Sequence, residues 1–358
     1  MDFFMNLKHR AAKWIVPFLA LWALSACSPS SDNKESKPSA NPASEKAAEV
    51  QKISFMYSPY ADYAGFFVAQ DKGYFKDAGV EVEMISKAGS SGETFQHVST
   101  GNVTGGGASW AAGLFNATKA GTSIAIVGSV SHIPESGPNP SPLMASEKSG
   151  ITDAKQLKGK KIGVPGQGGF GIYSVHLALQ SVGLSLADVQ LVNLSPGDII
   201  PAMANGSVDA AWTIEPISSA VKNKGIGHEI LDISYQAGTE IGMIIFNTKF
   251  TEEHPDTVAA FVGAYLKAVN ELSNGGWQDP EIQKIISKYT DLPVEALKSM
   301  ALTAPGKDGK INWDDVAKQE RFFHERKVLE YEGNLDMQKI FRADILEKAV
   351  KLSQAGAK

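Results

Sequence analysis

The sequence predicts an α/β fold of two similar lobes with a cleft between them and a hinge of two crossing segments. Three observations carry that expectation. From Ile53 onward, short apolar runs, glycine-bearing turns and amphipathic windows alternate in two successive series. This is the pattern of mostly parallel sheets with right-handed crossovers. Thr100-Gly101-Asn102-Val103-Thr104-Gly105-Gly106 matches Asn205-Gly206-Ser207-Val208-Asp209-Ala210-Ala211 in spacing and character, so the two series read as copies of one plan. After about Phe250 the alternation stops and helical periodicity continues alone.

The first series places strands at 53–57, 80–85, 103–107 and 124–130; the second places them at 161–164, 190–193, 208–212 and 228–232. Between them lie helical windows such as Ile172, Val175, Leu179 and Val182, which share one face. The tail predicts helices at 256–273, 281–289, 293–301, 314–332 and 336–353. Pro255, Pro280 and Pro293 fall at or just before three starts, where proline is tolerated. Crossings are expected at 142–146 and 241–247. They would give one lobe of 51–143 plus 246–358 and a second of 144–245. Trp110 and Trp212 each follow one of the matched strands, on the side where open α/β sheets bind ligands.

The chain begins differently. Lys8, Arg10 and Lys13 precede an apolar run from Trp14 to Leu24, which ends in Leu24-Ser25-Ala26-Cys27. The run is far shorter than the ~20 residues of a membrane span and reads as a signal peptide over 1–26. Its last four residues resemble the bacterial lipobox, and Cys27 is the only cysteine in 358 residues. The reading is a lipidated Cys27 followed by a tether through residue 50. That stretch is built of Ser, Pro, Asn, Lys, Glu and Ala and has almost nothing to bury. Removing 1–26 takes away three cations and one anion, so the net charge moves from −5 to −7. An acidic chain of this kind argues against nucleic acid as partner. With one cysteine there is no disulfide or thiolate metal site, and HExxH, Walker A and GxSxG motifs are all missing. His97, His132, His176, His228, His254 and His324 are scattered without a catalytic pattern. No catalytic residue, metal or cofactor is assigned.

Several segments in order resemble one family. They are Tyr57-Ser58-Pro59-Tyr60-Ala61-Asp62-Tyr63-Ala64-Gly65-Phe66-Phe67-Val68-Ala69, then Asp71-Lys72-Gly73-Tyr74-Phe75, then Leu157-Lys158-Gly159-Lys160-Lys161-Ile162-Gly163-Val164, and lastly Trp212-Thr213-Ile214-Glu215-Pro216. Together they resemble the nitrate, sulfonate and taurine solute-binding proteins of bacterial ABC importers, a group that includes binders of thiamine pyrimidine precursors. The resemblance covers about residues 52–250. It implies a periplasmic-binding-protein fold of type II, no enzymatic activity, and a monomer held to a membrane in the periplasm by its lipid. It also implies capture of a small molecule for delivery to an ABC permease and ATPase complex. Eukaryotic relatives that make thiamine pyrimidine carry a cysteine-rich motif, which this chain lacks. A tethered enzyme and a sensory lipoprotein without transport role are the alternatives from other classes.

Candidate ligand residues are Tyr60, Asp62, Ser90, Ser109, Trp110, Gly168, Phe170, Tyr173, Trp212 and Glu215. Beyond the signal peptide, arginine occurs only at Arg321, Arg326 and Arg342, all in the tail. Bidentate arginine clamps, the usual grip on oxyanions, are therefore not expected in the lobes. The glycine-rich stretches at 89–92 and 166–171 either make tight turns or offer backbone N–H groups to an anion. Glu215 either faces a ligand amine or caps the helix after Pro216. Aromatic residues and acids without arginine favour a planar, amino-bearing, pyrimidine-like compound. A sulfonate such as taurine or an alkanesulfonate, held by amides with Ser90 or Ser109, is the second reading. Because the thioether to lipid forms only on the Cys27 thiol, Cys27→Ser is expected to leave an unprocessed or freely soluble protein. Fractionation of cell envelopes checks this, and a correctly processed variant that stays with the membrane would refute it.

Overall fold

The computed structural model describes residues 51–86, 91–306 and 308–355; Cys27 and Ser90 lie outside them. Every described residue belongs to one compact unit, which begins at Glu49.

Ten strands follow in order: β1 (Lys52–Tyr57), β2 (Glu81–Ser86), β3 (Gly105–Ser109), β4 (Ile124–His132), β5 (Leu143–Ser146), β6 (Lys161–Val164), β7 (Gln190–Asn193), β8 (Ala210–Trp212), β9 (Gly227–Glu229) and β10 (Glu240–Asn247). They form two five-stranded sheets, ordered β2-β1-β3-β10-β4 and β7-β6-β8-β5-β9. In each sheet a single strand, β10 or β5, runs against the other four. That inserted strand is the one next to a crossing. The segments expected to be crossings at 142–146 and 241–247 are therefore strands, and the true crossings lie just before them, at 133–142 and 230–239. The lobe boundary expected at 245 moves with them, since β10 belongs wholly to the first sheet. All but the last residue of β10 are buried, as a central strand covered on both faces requires.

The crossings are tied to each other. Ile133 N–H donates to Thr239 O at 2.9 Å and Gly238 N–H to Ile133 O at 3.0 Å. The Gln236 amide donates to Asn139 Oδ1 and to Ser141 O, each at 2.8 Å, and accepts from Ser174 Oγ at 2.7 Å. Gln236 thus links both crossings to the helix Phe170–Ser181 of the second lobe.

The repeat seen in the sequence is a repeat of register. Phe55 pairs with Gly105 in one sheet and Ile162 with Ala210 in the other, while Gly101 and Gly206 both take a left-handed conformation at φ 75° and 81°. The same register sets Trp212 opposite Gly107 in the plan, not opposite Trp110, whose counterpart is Glu215. The expected match between the two tryptophans therefore fails: Trp212 is inside its strand, and Trp110 lies beyond its own. The slot is filled in both lobes, by opposite partners. A Cβ on Gly107 would lie 2.2 Å from Tyr63 Cε1, and one on Gly171 would lie 2.9 Å from Trp212 Cε3. In the first lobe the ring comes from the segment after β1 and glycine from the strand; in the second the strand supplies the ring and the helix the glycine.

The tail forms the helices Pro255–Ser273, Pro280–Thr290, Val294–Ser299, Trp313–Glu325 and Ala343–Ala355. The expected helix at 314–332 stops at Glu325, two residues before Lys327 turns left-handed at φ 56°. The one expected at 336–353 is broken before Ala343 by Phe341, which bridges to Ile126 of β4. Trp313–Glu325 touches both lobes. Its Phe323 ring lies 6.0 Å from Phe115, while Phe322 lies 5.3 Å from Tyr173 and 4.6 Å from His176.

Gly107→Ala should force Tyr63 or β3 to shift and destabilise the protein by about 1–3 kcal/mol, the usual cost of overpacking. Urea unfolding would read this as a lower midpoint at unchanged slope, and an unchanged midpoint would refute the close packing.

Candidate functional site

The carboxyl ends of β1, β3, β6 and β8 and both crossings meet at the seam between the lobes, the edge at which open α/β sheets bind ligands. The seam is closed. Ala112 N–H of the first lobe donates to Gly168 O of the second at 2.8 Å. The space left at its centre is ≈ 10 Å³, room for about one water. Ala61 and Asp62 line it from one lobe and Ile214 and Glu215 from the other, with Pro140 of a crossing and Ala301, Leu302 and Thr303 of the tail.

Asp62 and Glu215, both singled out in the sequence, are thus brought to one cavity. They are held differently. Glu215 Oε2 accepts from Ser219 N–H at 3.1 Å, and Oε1 accepts from Ser219 Oγ at 2.9 Å and Ala301 N–H at 3.2 Å. It caps the turn after Pro216 and ties the tail to the second lobe. Asp62 Oδ2 accepts one long hydrogen bond, 3.3 Å from Ser131 Oγ, and Oδ1 is sealed from solvent without a partner. Burial pushes the Asp62 carboxyl up to about 6, against smaller opposing effects of Ser131 and of the residue's own backbone N–H. Tyr60 stands half-buried beside it, its phenol raised by burial and then by the Asp62 charge.

The remaining candidates separate into a rim and a packed shell. Ser109 is half-buried and its N–H donates to Ser91 Oγ at 2.9 Å; Gly168 is the seam acceptor. Trp110 is fully buried, edge-on to Trp313 at 6.1 Å and near Phe115 at 6.2 Å, and its Nε1 has no partner. Phe170 packs edge-on to Trp212 at 6.2 Å, and Trp212 Nε1 donates to Ser141 Oγ at 2.9 Å. Tyr173 is buried, donates to Asp315 Oδ1 at 3.4 Å, and has its phenol raised by burial and by Asp315.

The structure adds residues that sequence patterns did not single out. Ser131, Asn139, Ser141 and Gln236 organise the seam through partners distant in sequence, and nothing in their local spacing signals it. Arg326 brings a tail arginine to the second lobe, whose own sequence holds none. Its Nη2 donates to Gln167 Oε1 at 2.6 Å, within the glycine-rich loop that begins the helix Phe170–Ser181.

Behind the crossings an open groove of ≈ 510 Å³ is lined by His132, Glu135, Glu240, Lys310 and the segment around them. Glu240 is buried; its oxygens accept from Ser129 Oγ at 3.0 Å and Asn312 N–H at 2.8 Å. Burial raises its carboxyl to about 7, with Asp315 adding to the rise and the two donors opposing it. The folded chain therefore keeps a proton that the unfolded chain releases near 4.5. Glu240 accordingly contributes stability at low pH that is lost as pH rises through about 7. His132, held below its ordinary value by burial, acts in the opposite sense below about 6.5, so the test must isolate Glu240. Glu240→Gln keeps the shape and removes the titration. Urea unfolding at pH 5, 6.5 and 8 should show the variant gaining on the parent as pH rises; a constant difference would mean that Glu240 is ionised throughout.

The family model described as NMT1/THI5 like matches residues 60–275. A Bacillus subtilis (strain 168) protein named for binding aliphatic sulfonates is 28% identical over 240 residues, 63% of this chain and 65% of that protein. A Schizosaccharomyces pombe protein named 4-amino-5-hydroxymethyl-2-methylpyrimidine phosphate synthase is 27% identical over 229 residues, 60% of this chain and 62% of that one. The chain thus spans less than two thirds of the length of these curated relatives. The crystal structure of the periplasmic aliphatic sulphonate binding protein from Escherichia coli superposes with a TM-score of 0.68 at 18% identity, covering 83% of this chain and 99% of the other. That superposition establishes a two-lobed periplasmic-binding-protein fold. With its family match running from the seam residue Tyr60 into the tail, the chain belongs to the NMT1/THI5-like family.

Proposed function

We propose that the protein is an extracytoplasmic solute-binding lipoprotein of an ABC importer, anchored in the cell envelope through Cys27. It captures a small organic nutrient between its lobes and hands it to a permease and ATPase complex. The observation that carries this reading is the cavity walled by both lobes at once, with Asp62 on one side and Glu215 on the other. A ligand held there touches two bodies joined only by two crossings and the tail, so its binding and closure are one event. Tyr60, Ser109 and Gly168 form the rim in this reading, and Trp110, Phe170, Tyr173 and Trp212 the aromatic shell that shapes it.

Two carboxylates lining the cavity, with the Tyr60 ring beside Asp62, favour a planar, amino-bearing compound of pyrimidine type. A sulfonate is the second reading, favoured by Arg326 at the glycine-rich loop and by the helix Phe170–Ser181, whose N-terminus carries no side-chain cap. The scattered histidines and the donors already engaged with Glu215 offer no nucleophile with a base beside it, which favours capture over catalysis.

A ligand present at about a hundred times its dissociation constant should add about 2.7 kcal/mol to stability. Thermal unfolding of ligand-free protein from residue 28 onward is therefore expected to shift upward with at least one member of a panel of aminopyrimidines, sulfonates and nitrate. No shift across the panel would refute solute capture of these classes.

A further inference from the structure

We propose that Asp62 selects the ligand of this cleft, and that it selects for a nitrogen carrying N–H, as an ammonium or an aminopyrimidine. The inference rests on solute capture between the lobes and names the group the captured molecule must bring.

Asp62 stands apart from the other buried carboxylates. Glu215 accepts three hydrogen bonds and Glu240 two. Asp315 accepts from Glu240 N–H at 3.0 Å and from the Gln319 amide at 2.8 Å. Glu320 accepts from Tyr331 OH at 2.7 Å and Leu335 N–H at 2.6 Å. Asp62 has the 3.3 Å contact with Ser131, and its Oδ1 is the one carboxylate oxygen among the described residues with neither solvent nor a donor. It is also the one of these five that lines the seam cavity together with Glu215, which already has its donors.

Among the described residues, no cation faces it. The titratable groups that face it are Tyr60 and Tyr63 from its own segment, Tyr265 from the helix Pro255–Ser273 and Glu215 across the cavity. Tyr265 OH is already given to Val130 O at 3.0 Å. A buried carboxylate in such a place is costly unless a donor meets it, and its neutralisation at about pH 6 reflects that cost. A ligand oxyanion placed between Asp62 and Glu215 would meet two like charges. A ligand N–H placed there would satisfy Oδ1 with a charge-assisted hydrogen bond. Any acidic group of the same ligand must point the other way, toward the glycine-rich loop.

The test uses two matched pairs: taurine against ethanesulfonate, and 4-amino-5-hydroxymethyl-2-methylpyrimidine against the same pyrimidine without its amino group. Calorimetric titration of the parent should show one aminated member binding at least about tenfold more tightly than its partner. Asp62→Asn should weaken that member by about tenfold or more, while raising the melting temperature of the empty protein, because a poorly met buried charge is gone. The parent's affinity should also fall as pH drops below about 6, when Asp62 holds a proton. A deaminated member that binds as well as its partner, or an Asp62→Asn variant of unchanged affinity, would overturn the role of Asp62 and leave solute capture standing. Silence from all four compounds would overturn this inference, whereas a hit elsewhere in the wider panel would keep the capture reading.

Discussion

Bringing the two lobes together removes carboxylates from water without providing cations to meet them. That constraint shapes the whole seam. Every ion pair among the described residues stays within one lobe, within the tail, or between the first lobe and the tail, as in Lys222–Glu229 and Lys72–Glu271. The contacts between the lobes are neutral or singly charged hydrogen bonds, such as Ala112 to Gly168 and Tyr173 to Asp315. The neutral ones are worth only about 1 kcal/mol net and those to a carboxylate about 1.5–3 kcal/mol, since water offers partners when the seam opens. Among the described residues, opening therefore breaks no salt bridge. Ring packing adds to these bonds, with Phe322 of the tail against Tyr173 and His176 of the second lobe.

Much of this architecture is legible in the chain because local periodicity follows burial. Strands predicted at 161–164 and 190–193 appear at those bounds, and most of the others within two residues. The failures have one cause. β5 and β10 are single strands inserted antiparallel from across a crossing, so no strand–helix unit announces them, and their apolar runs look like connections. The tryptophans misled for a related reason. Counting from the matched glycines to the next tryptophan ignores register, and register sets Trp212 against Gly107. The exchange of ring and glycine between Tyr63–Gly107 and Gly171–Trp212 explains why the likeness breaks there: one slot needs one large side chain, and either partner can supply it.

The site was legible where it depends on chain position and illegible where it depends on folding back. Asp62 and Glu215 follow strands at the edge that binds ligands, so topology alone nominates them. That Glu215 is engaged by Ser219 and Ala301, and Asp62 by little, rests on contacts up to 86 residues away. Arg326 reaches Gln167 across 159 residues of sequence, and composition by lobe could not place it there.

The unmet oxygen of Asp62 also links the two halves of the proposed cycle. With the lobes apart the carboxylate faces water and costs nothing. With the lobes together and no ligand it is buried and poorly met, which raises the energy of the empty closed form. A ligand nitrogen removes that penalty only in the closed form, so it binds that form more tightly than the open one. Differential affinity of this kind is the sole means by which a ligand shifts a conformational equilibrium. One carboxylate left short of donors thus disfavours empty closure and rewards closure on the right molecule, whereas a seam fully satisfied by its own residues would close as readily on nothing.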